Sequence, residues 1–357
     1  MPSTSNDPYP LHPYAMNAPA WYSDAEVAAR LDDRLLLGNL AEALIDLSHG
    51  RVQQPLRSVL PLYASLHATD RHEPIPLGED HMPGTATRSQ EHGSLFIKPV
   101  QWRDHVAVKL ISLIPSNSGR GLPGLLSVVV LFSAVDGRPL AILEGNVLTA
   151  RRTAAVSAIA ADRFAKEGQC TLGLLGSGVL ARAHARFLAR VRTLSDIRVW
   201  SPTAEHARAC AAEIGGRAVG SAEEAATGAD IVCTLTHARE PVLMGRWLKP
   251  GAFVAAVGAP RPNWRELDDA VMEHTIVVDQ REAASRESGD LILSKAMIYA
   301  ELGEILAQRV AAPAPGKTVV FKSLGLAVED AVAASLVLAS SQGDTTVANA
   351  SAPRRID

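Results

Sequence analysis

The sequence predicts an α/β protein whose second half is a doubly wound parallel sheet and whose first half is a smaller α+β unit. Three observations predict it. From Thr149 onward, short apolar runs alternate with helical stretches, the texture of βα units around a parallel sheet. One strand-to-helix junction carries Gly176-Ser-Gly178-Val-Leu-Ala181 between an apolar run and an amphipathic one. Before Leu148, strand-like runs follow one another with the turn signal Asp136-Gly137, a strong hairpin marker.

The elements follow in order. The prolines at 2, 8, 10, 13 and 19 make residues 1–22 an expected tail, and 341–357 is similar in texture. Helices are expected over 24–31 and 37–49. Strands are expected over 58–62, 95–100, 106–114, 125–132 and 140–143. A helix over 150–166 leads into a strand at 171–175. Strands at 197–200, 230–235, 252–257 and 275–279 alternate with helices, one over 222–226 and one starting near Arg265. A strand at 318–322 and an apolar helix over 326–340 are expected to pack back on the first unit.

With 357 residues, 47% hydrophobic and 20% charged, the chain has room for two domains with sizeable cores. The net charge of -3, with no long basic run, argues against nucleic acid or an anionic membrane as a partner. No apolar stretch is long enough to span a bilayer, and Met1 to Ala20 lacks the core of a signal peptide. Cys170, Cys210 and Cys233 have neither metal nor disulfide spacing, which suits a reducing cytoplasm. The histidines show no ligand spacing, so no metal is expected, and His184 and His206 read as surface residues on helices.

The glycine junction carries the most specific chemistry. Val179, Leu180, Ala183, Phe187, Leu188 and Val191 recur at helical spacing behind it. Strand, glycine turn and helix is the context in which G-x-G-x-x-A binds a dinucleotide, as in a Rossmann domain. Gly176 permits the turn, Gly178 lets a pyrophosphate approach the backbone, and Ala181 allows close packing of helix on strand. Ser177, Val179 and Leu180 supply N–H groups at the helix start. Thr234, Val257 and Gly258, at the ends of later strands, are further expected cofactor contacts. Strand 197–200 ends in Val199-Trp200-Ser201-Pro202-Thr203, with no acid to hold a ribose 2′-hydroxyl. Ser201 and Thr203, with Arg208 on the next helix, suit a 2′-phosphate, so NADPH is expected and NADH remains possible.

Several longer segments carry a resemblance. They are Glu144-Gly-Asn-Val-Leu-Thr-Ala-Arg-Arg-Thr-Ala-Ala-Val-Ser-Ala158, Ala256-Val-Gly-Ala-Pro-Arg-Pro-Asn-Trp-Arg-Glu-Leu-Asp268, Glu287-Ser-Gly-Asp290 and Val320-Phe-Lys-Ser-Leu-Gly-Leu-Ala-Val-Glu-Asp330. Together with the glycine turn, over about 24–340, the chain resembles the ornithine cyclodeaminase/mu-crystallin family, nearer its ketimine-reductase branch. The resemblance implies a substrate-binding and dimerisation domain over 23–148, completed by 319–340, and an NAD(P)-binding Rossmann domain over 149–318. It implies a homodimer, an active site in the cleft between the domains, and α-imino or α-amino acid substrates.

It also implies roles for single residues. Arg57 matches the arginine that holds the substrate carboxylate, a task a guanidinium fork suits; Arg51 is a weaker candidate. Lys109, inside the run 106–114, lies on an exposed strand face or is functional, and the resemblance makes it the lysine facing the substrate. Arg152 would hold the carboxylate with Arg57, and Thr153 would face the cofactor. Arg151 is expected to be exposed, and Lys98 is read as an exposed strand lysine.

Pro260 stands where the cyclodeaminases carry an aspartate, which favours imine reduction over deamination. Leu125-Leu126 replaces a polar pair of the reductase branch and leaves the substrate open. The implied activity is NAD(P)H-dependent reduction of cyclic imino acids, Δ1-pyrroline-2-carboxylate or Δ1-piperideine-2-carboxylate, to proline or pipecolate. The alternatives are an open-chain amino-acid dehydrogenase or imino-acid reductase, an ornithine cyclodeaminase, and a non-catalytic small-molecule binder.

Overall fold

A computed structural model describes residues 18–63 and 91–342. The first half gives β1 (Ala20–Tyr22), α1 (Asp24–Arg30), α2 (Asp33–Ser48), β2 (Ser58–Tyr63), β3 (Glu91–Trp102), β4 (His105–Leu113), β5 (Leu125–Ser133) and β6 (Pro139–Glu144). Ser23 and Glu26 form a capping box at the start of α1, and the Asp32 carboxylate caps α2. The six strands make one sheet in the order β1-β6-β5-β4-β3-β2. It is antiparallel except where β1 runs parallel to β6. Gly137, at a φ of 76°, makes the expected turn into β6.

Helix α3 (Asn146–Phe164) then enters the second sheet. That half comprises β7 (Gln169–Leu175), α4 (Val179–Val191), β8 (Thr193–Trp200), α5 (Ala204–Ile214), β9 (Arg217–Ala218), α6 (Ala222–Ala226), β10 (Ile231–Thr234), β11 (Phe253–Ala256), α7 (Asp269–Met272) and β12 (Thr275–Val278). It continues with α8 (Arg281–Glu287), α9 (Gly289–Ser294), β13 (Ile298–Glu301), α10 (Leu302–Leu306), β14 (Val319–Lys322) and α11 (Ala327–Gln342). The eight strands are parallel, in the order β13-β12-β14-β11-β10-β7-β8-β9. Strands β10, β11 and β14 are buried at every position, as a sheet covered on both faces requires. Strand order reverses between β7 and β10, and the crevice there is where such sheets bind ligands.

Several expectations need correction. The N-terminal tail does not run to residue 22, because Ala20–Tyr22 pairs with β6; residues 1–17 lie outside the described residues. Strand β14 does not join the first domain: it sits between β11 and β12 in the parallel sheet, where its four buried residues find both faces covered. Only α11 packs back, against α2, β3 and β4. It is buried from Ala327 to Ala339, as an all-round apolar helix must be. It extends to Gln342, past the expected start of the C-terminal tail; 343–357 lie outside the described residues. The helix near Arg265 is a single turn, α7, capped by Asp268. Strand β13 and helices α8, α9 and α10 come in addition to the elements expected from the sequence.

Candidate active site

The glycine junction forms the turn the sequence predicts. Gly176 adopts a φ of 123°, and a Cβ there would stand 2.8 Å from the Leu235 carbonyl oxygen, so only glycine fits. Gly178 is the N-cap of α4, no side chain caps the helix, and a Cβ added at Gly178 would meet nothing within 4 Å. The space above that backbone is open, and the first N–H groups of α4 lack a side-chain acceptor. This is the cradle a pyrophosphate needs. Ala181 is buried, Leu180 packs on the core and Val179 is exposed. Arg182 steadies the turn by donating to the carbonyls of Ser177 (2.8 Å) and Gly178 (3.3 Å) while its other nitrogens pair with Glu213.

The loop after β11 is bound from beneath. Glu266 accepts hydrogen bonds from Thr234 Oγ1 (2.9 Å), Thr236 N (2.7 Å) and Thr236 Oγ1 (2.6 Å). Asp290 accepts from the backbone of Glu266 (2.8 Å) and Leu267 (3.0 Å). Lys322 pairs with Asp290 at 2.8 Å and donates to the Gly258 carbonyl. A Cβ at Gly258 would overlap the Thr236 carbonyl and the Glu266 carboxyl, so packing alone demands glycine there. The Thr234 hydroxyl is committed to Glu266. Val257, only 9% exposed, and Thr153 on α3 are both buried. Ser201 is half-buried, and Thr203 is exposed and makes no side-chain cap. No acidic side chain stands at the end of β8. Arg208 pairs with Glu205 in solvent.

Facing this loop, the first sheet presents cations. Lys98 and Lys109 are direct cross-strand partners on β3 and β4. Arg57 immediately precedes Ser58, which pairs with Ile97, so it stands beside Lys98. Arg57, Lys98, Gln54, Gln280, Glu287 and Gly325 line one cleft between the two sheets. Arg57 donates to the Pro260 carbonyl (2.7 Å), pairs with Glu287 (2.8 Å) and has its guanidinium over the Phe96 ring at 5.7 Å. The backbone carbonyl of residue 260 thus ties this loop to the first domain, next to Ala259 at a φ of 53°.

Behind the cleft, the start of α11 supplies the countercharge. Asp330 Oδ1 accepts from Lys109 Nζ (2.9 Å) and Arg152 Nε (2.9 Å), and Oδ2 lies 3.6 Å from Lys98 Nζ. Arg152 Nη1 donates to Glu329 at 2.6 Å, and Lys109 also donates to Thr149 Oγ1 at 2.5 Å. Gly325 (φ 75°) leaves room for Arg152, whose guanidinium would overlap a Cβ there. Asp279 accepts from Leu324 N (2.6 Å) and Gly325 N (3.0 Å), fixing the loop whose carbonyl takes a hydrogen bond from Lys98 at 2.7 Å.

Burial disfavours charge on Lys109 more than Asp330 favours it, and its ammonium falls to a pKa of about 7. Burial lowers Lys98 in the same direction and pushes Glu329 up to about 7. For Asp330 burial acts upward, but Arg152, Lys109 and Lys98 outweigh it and hold the carboxyl below the usual range.

Three expectations of exposure change here, and Arg152 is placed beside them. Lys98 is not an exposed strand lysine: it is 7% exposed and lines the cleft. Arg152 stands directly behind Gly325 of the cleft lining, with two carboxylates on α11 holding its guanidinium. His184 is buried, not on the surface: its ring bridges the Leu180 carbonyl (2.7 Å) and Ser157 (3.0 Å) where α4 packs on α3, and burial lowers its pKa to about 4. Arg151 is not simply exposed: it caps α1 by donating to the carbonyls of Ala28 and Leu31. Arg51 pairs with Asp46 in solvent, away from the cleft.

Sheet order, open glycine turn and cationic cleft together define a two-domain protein of the dinucleotide-binding class. The chain belongs to the ornithine cyclodeaminase/mu-crystallin family, whose model matches residues 75–344. It is 40% identical over 329 residues to the ketimine reductase mu-crystallin of Mus musculus, covering 90% of this chain and 96% of the mouse protein. It is 32% identical over 264 residues to a Delta(1)-pyrroline-2-carboxylate reductase of Bacillus cereus, covering 69% and 81% of the two chains. Among solved structures, Thermococcus litoralis Delta(1)-pyrroline-2-carboxylate reductase in complex with NADH and L-proline matches with a TM-score of 0.78 at 29% identity, over 91% of this chain and 98% of that one.

Proposed function

We propose that the protein is a nicotinamide-dependent reductase of cyclic imino acids, taking Δ1-pyrroline-2-carboxylate or Δ1-piperideine-2-carboxylate to proline or pipecolate. The observation that carries this reading is the pair of cations on the cleft wall, Arg57 and Lys98, backed by buried Lys109 on the neighbouring strand and tied by Arg57 to a loop that has Pro260 in place of a carboxylate. Such a cleft binds an anionic substrate and offers a proton, and no base at 260 is present to activate water or an amine. A bound nicotinamide supplies the hydride.

Gly176, Ser177, Gly178 and the start of α4 hold the cofactor pyrophosphate in this reading. Arg57 takes the substrate carboxylate and Glu287 gives way to it. Lys109 places its ammonium, held by Thr149 and Asp330, at the imine nitrogen or at a water between them. Arg152 holds Asp330 and Glu329 in place. The missing carboxylate after β8, with Ser201 and Thr203 available, favours NADPH over NADH; Arg208, in an exposed pair worth little, is free to swing to a 2′-phosphate. The first domain carries exposed Val59, Leu60, Leu122 and Leu125, which suits a homodimer built through it. No helix among the described residues is long and apolar enough to cross a membrane, and the three cysteines are free and buried, in keeping with a cytoplasmic enzyme.

A panel of cyclic and open-chain imino acids with both cofactors tests this reading. The expected result is fastest oxidation of NADPH with the cyclic imino acids. Turnover confined to open-chain substrates overturns it.

A further inference from the structure

A second recess lies where α1 and α2 meet α4. It is an open cup of about 290 Å³, and its charged lining is Arg30, Asp32, Asp33, Arg34, Arg186 and Arg190. Arg186 and Arg190, one turn apart on α4, both reach Asp33 at the start of α2. Arg186 donates from Nε to Oδ2 at 2.9 Å and from Nη2 to Oδ1 at 3.1 Å, and Arg190 Nη2 donates to Oδ2 at 2.9 Å. The Asp32 carboxylate is committed to the backbone N–H groups of Arg34 and Leu35. Arg30 has its guanidinium over the Tyr22 ring at 5.7 Å, and Arg34 is exposed. Among the described residues, neither of these two guanidinium groups has a carboxylate or a hydrogen-bond acceptor. Four guanidinium groups against two carboxylates leave the cup with two positive charges in excess.

We propose that this cup binds a doubly charged oxyanion of the phosphate type, free or as a monoester, which bridges α2 and α4. A dianion matches the excess charge, and a tetrahedral oxyanion can take two guanidinium forks at once. Arg34, Arg186 Nη1 and Arg190 Nε and Nη1 keep donors that no group among the described residues takes. Arg151 prepares the cup from behind. It donates to the carbonyls of Ala28 (2.9 Å) and Leu31 (3.0 Å), so the negative end of α1 is already offset where it would repel an anion. Ligand pockets run from about 300 to 1,000 Å³, so this cup suits a small anion. It is separate from the glycine turn: from Gly178 to Arg190, at about 1.5 Å per residue, is about 18 Å along α4. A bound anion therefore joins the first half to the far end of the helix that starts at that turn.

The test is a calorimetric titration of the full chain, saturated with NADPH and held at fixed ionic strength, with inorganic phosphate, pyrophosphate and glycerol 3-phosphate. Losing a charge-assisted contact predicts a Kd raised at least about tenfold in Arg34→Gln and in Arg190→Gln, with Arg34→Lys recovering part of the loss. Tighter binding of glycerol 3-phosphate than of inorganic phosphate marks a phosphorylated metabolite as the occupant, and the reverse marks the free ion. No saturable binding to wild type, or a Kd unchanged in both arginine variants, overturns the proposal. Binding lost in Gly178→Val but kept in Arg34→Gln puts the anion at the glycine turn and overturns it as well.

A second measurement is independent of turnover. An anion that bridges the two halves stabilises the folded chain by mass action, so phosphate is expected to raise the thermal midpoint of wild type and to leave that of Arg34→Gln unmoved. Equal shifts in both overturn the bridge. Arg34 is exposed, so Arg34→Gln is expected to fold as wild type does, and circular dichroism checks it. Neither readout uses an imino acid, so failure of the reductase reading leaves this test intact.

Discussion

Lys98 faces Lys109 directly across the β3–β4 ladder, and both ammonium groups converge on the single carboxylate of Asp330. Like charges set opposite on adjacent strands destabilise a sheet; here both are also buried. The arrangement persists because Asp330 and the Thr149 hydroxyl take the donors, and its consequence is a lysine poised near neutrality.

That consequence has a sign. Lys109 serves as a proton donor only as the ammonium, and its pKa is about 7. Activity limited by this donor is present below about pH 7 and is lost as pH rises through it. Lys109→Met is expected to lower kcat by about 100-fold, to flatten the alkaline limb of the pH–rate profile and to leave NADPH affinity unchanged. A kcat near wild type would make the lysine a structural partner of Asp330 and nothing more. Stability runs the other way: above about pH 7 the unfolded chain keeps the proton the folded chain has released, so Lys109 makes folding more favourable as pH climbs toward about 10.

Asp330→Asn removes the countercharge of three buried cations at once. Breaking a buried pair from one side costs about 3–5 kcal/mol, so the urea midpoint is expected to fall sharply. The surviving alkaline limb is expected to move to lower pH, because the Lys109 ammonium loses its nearest anion. An unshifted limb with an unchanged midpoint contradicts the assigned network.

Gly178→Val is expected to weaken NADPH binding at least about tenfold with the fold intact. Its Cβ meets no protein atom, so the cost falls on the ligand that approaches this backbone. A fluorescence titration of NADPH reads it; an unchanged Kd removes the pyrophosphate from this turn.

Much of this is legible in the sequence, for reasons that differ by region. The glycine turn is readable because Gly176, Gly178 and Ala181 act locally, between a strand and a helix that their own periodicities announce. Lys98 escapes a sequence reading because burial of a strand lysine depends on what covers its face, here the Gly325 loop and α11, more than two hundred residues away in the chain. A usable signal exists: the turn at Arg103-Asp104 pairs Trp102 with His105, and counting back from it sets Lys98 against Lys109. The histidine at 184 escapes for the same reason, since the sequence of α4 shows its place in the helix but not that α3 packs on that side. Strand β14 reads as part of the terminal unit because sequence order does not reveal insertion into the middle of a parallel sheet.

The Arg57–Glu287 pair predicts opposite shifts in KM. Arg57→Ala is expected to raise KM for the imino acid by roughly 30- to 1000-fold, the loss of a bidentate charge-assisted contact. Glu287→Gln keeps the shape, removes the competing charge and is expected to lower KM. A rise in KM for Glu287→Gln would show that the carboxylate binds substrate itself rather than yielding to it.

The most direct test of imine reduction is a stoichiometric one. Purified protein is incubated with NADPH and Δ1-pyrroline-2-carboxylate, and separately with ornithine and NAD+, and proline, ammonia and cofactor are quantified. The expected result is one proline formed per NADPH oxidised with the imine, and neither proline nor ammonia from ornithine, because Pro260 offers no carboxylate. Proline and ammonia released from ornithine, with the imine left unreduced, would contradict it.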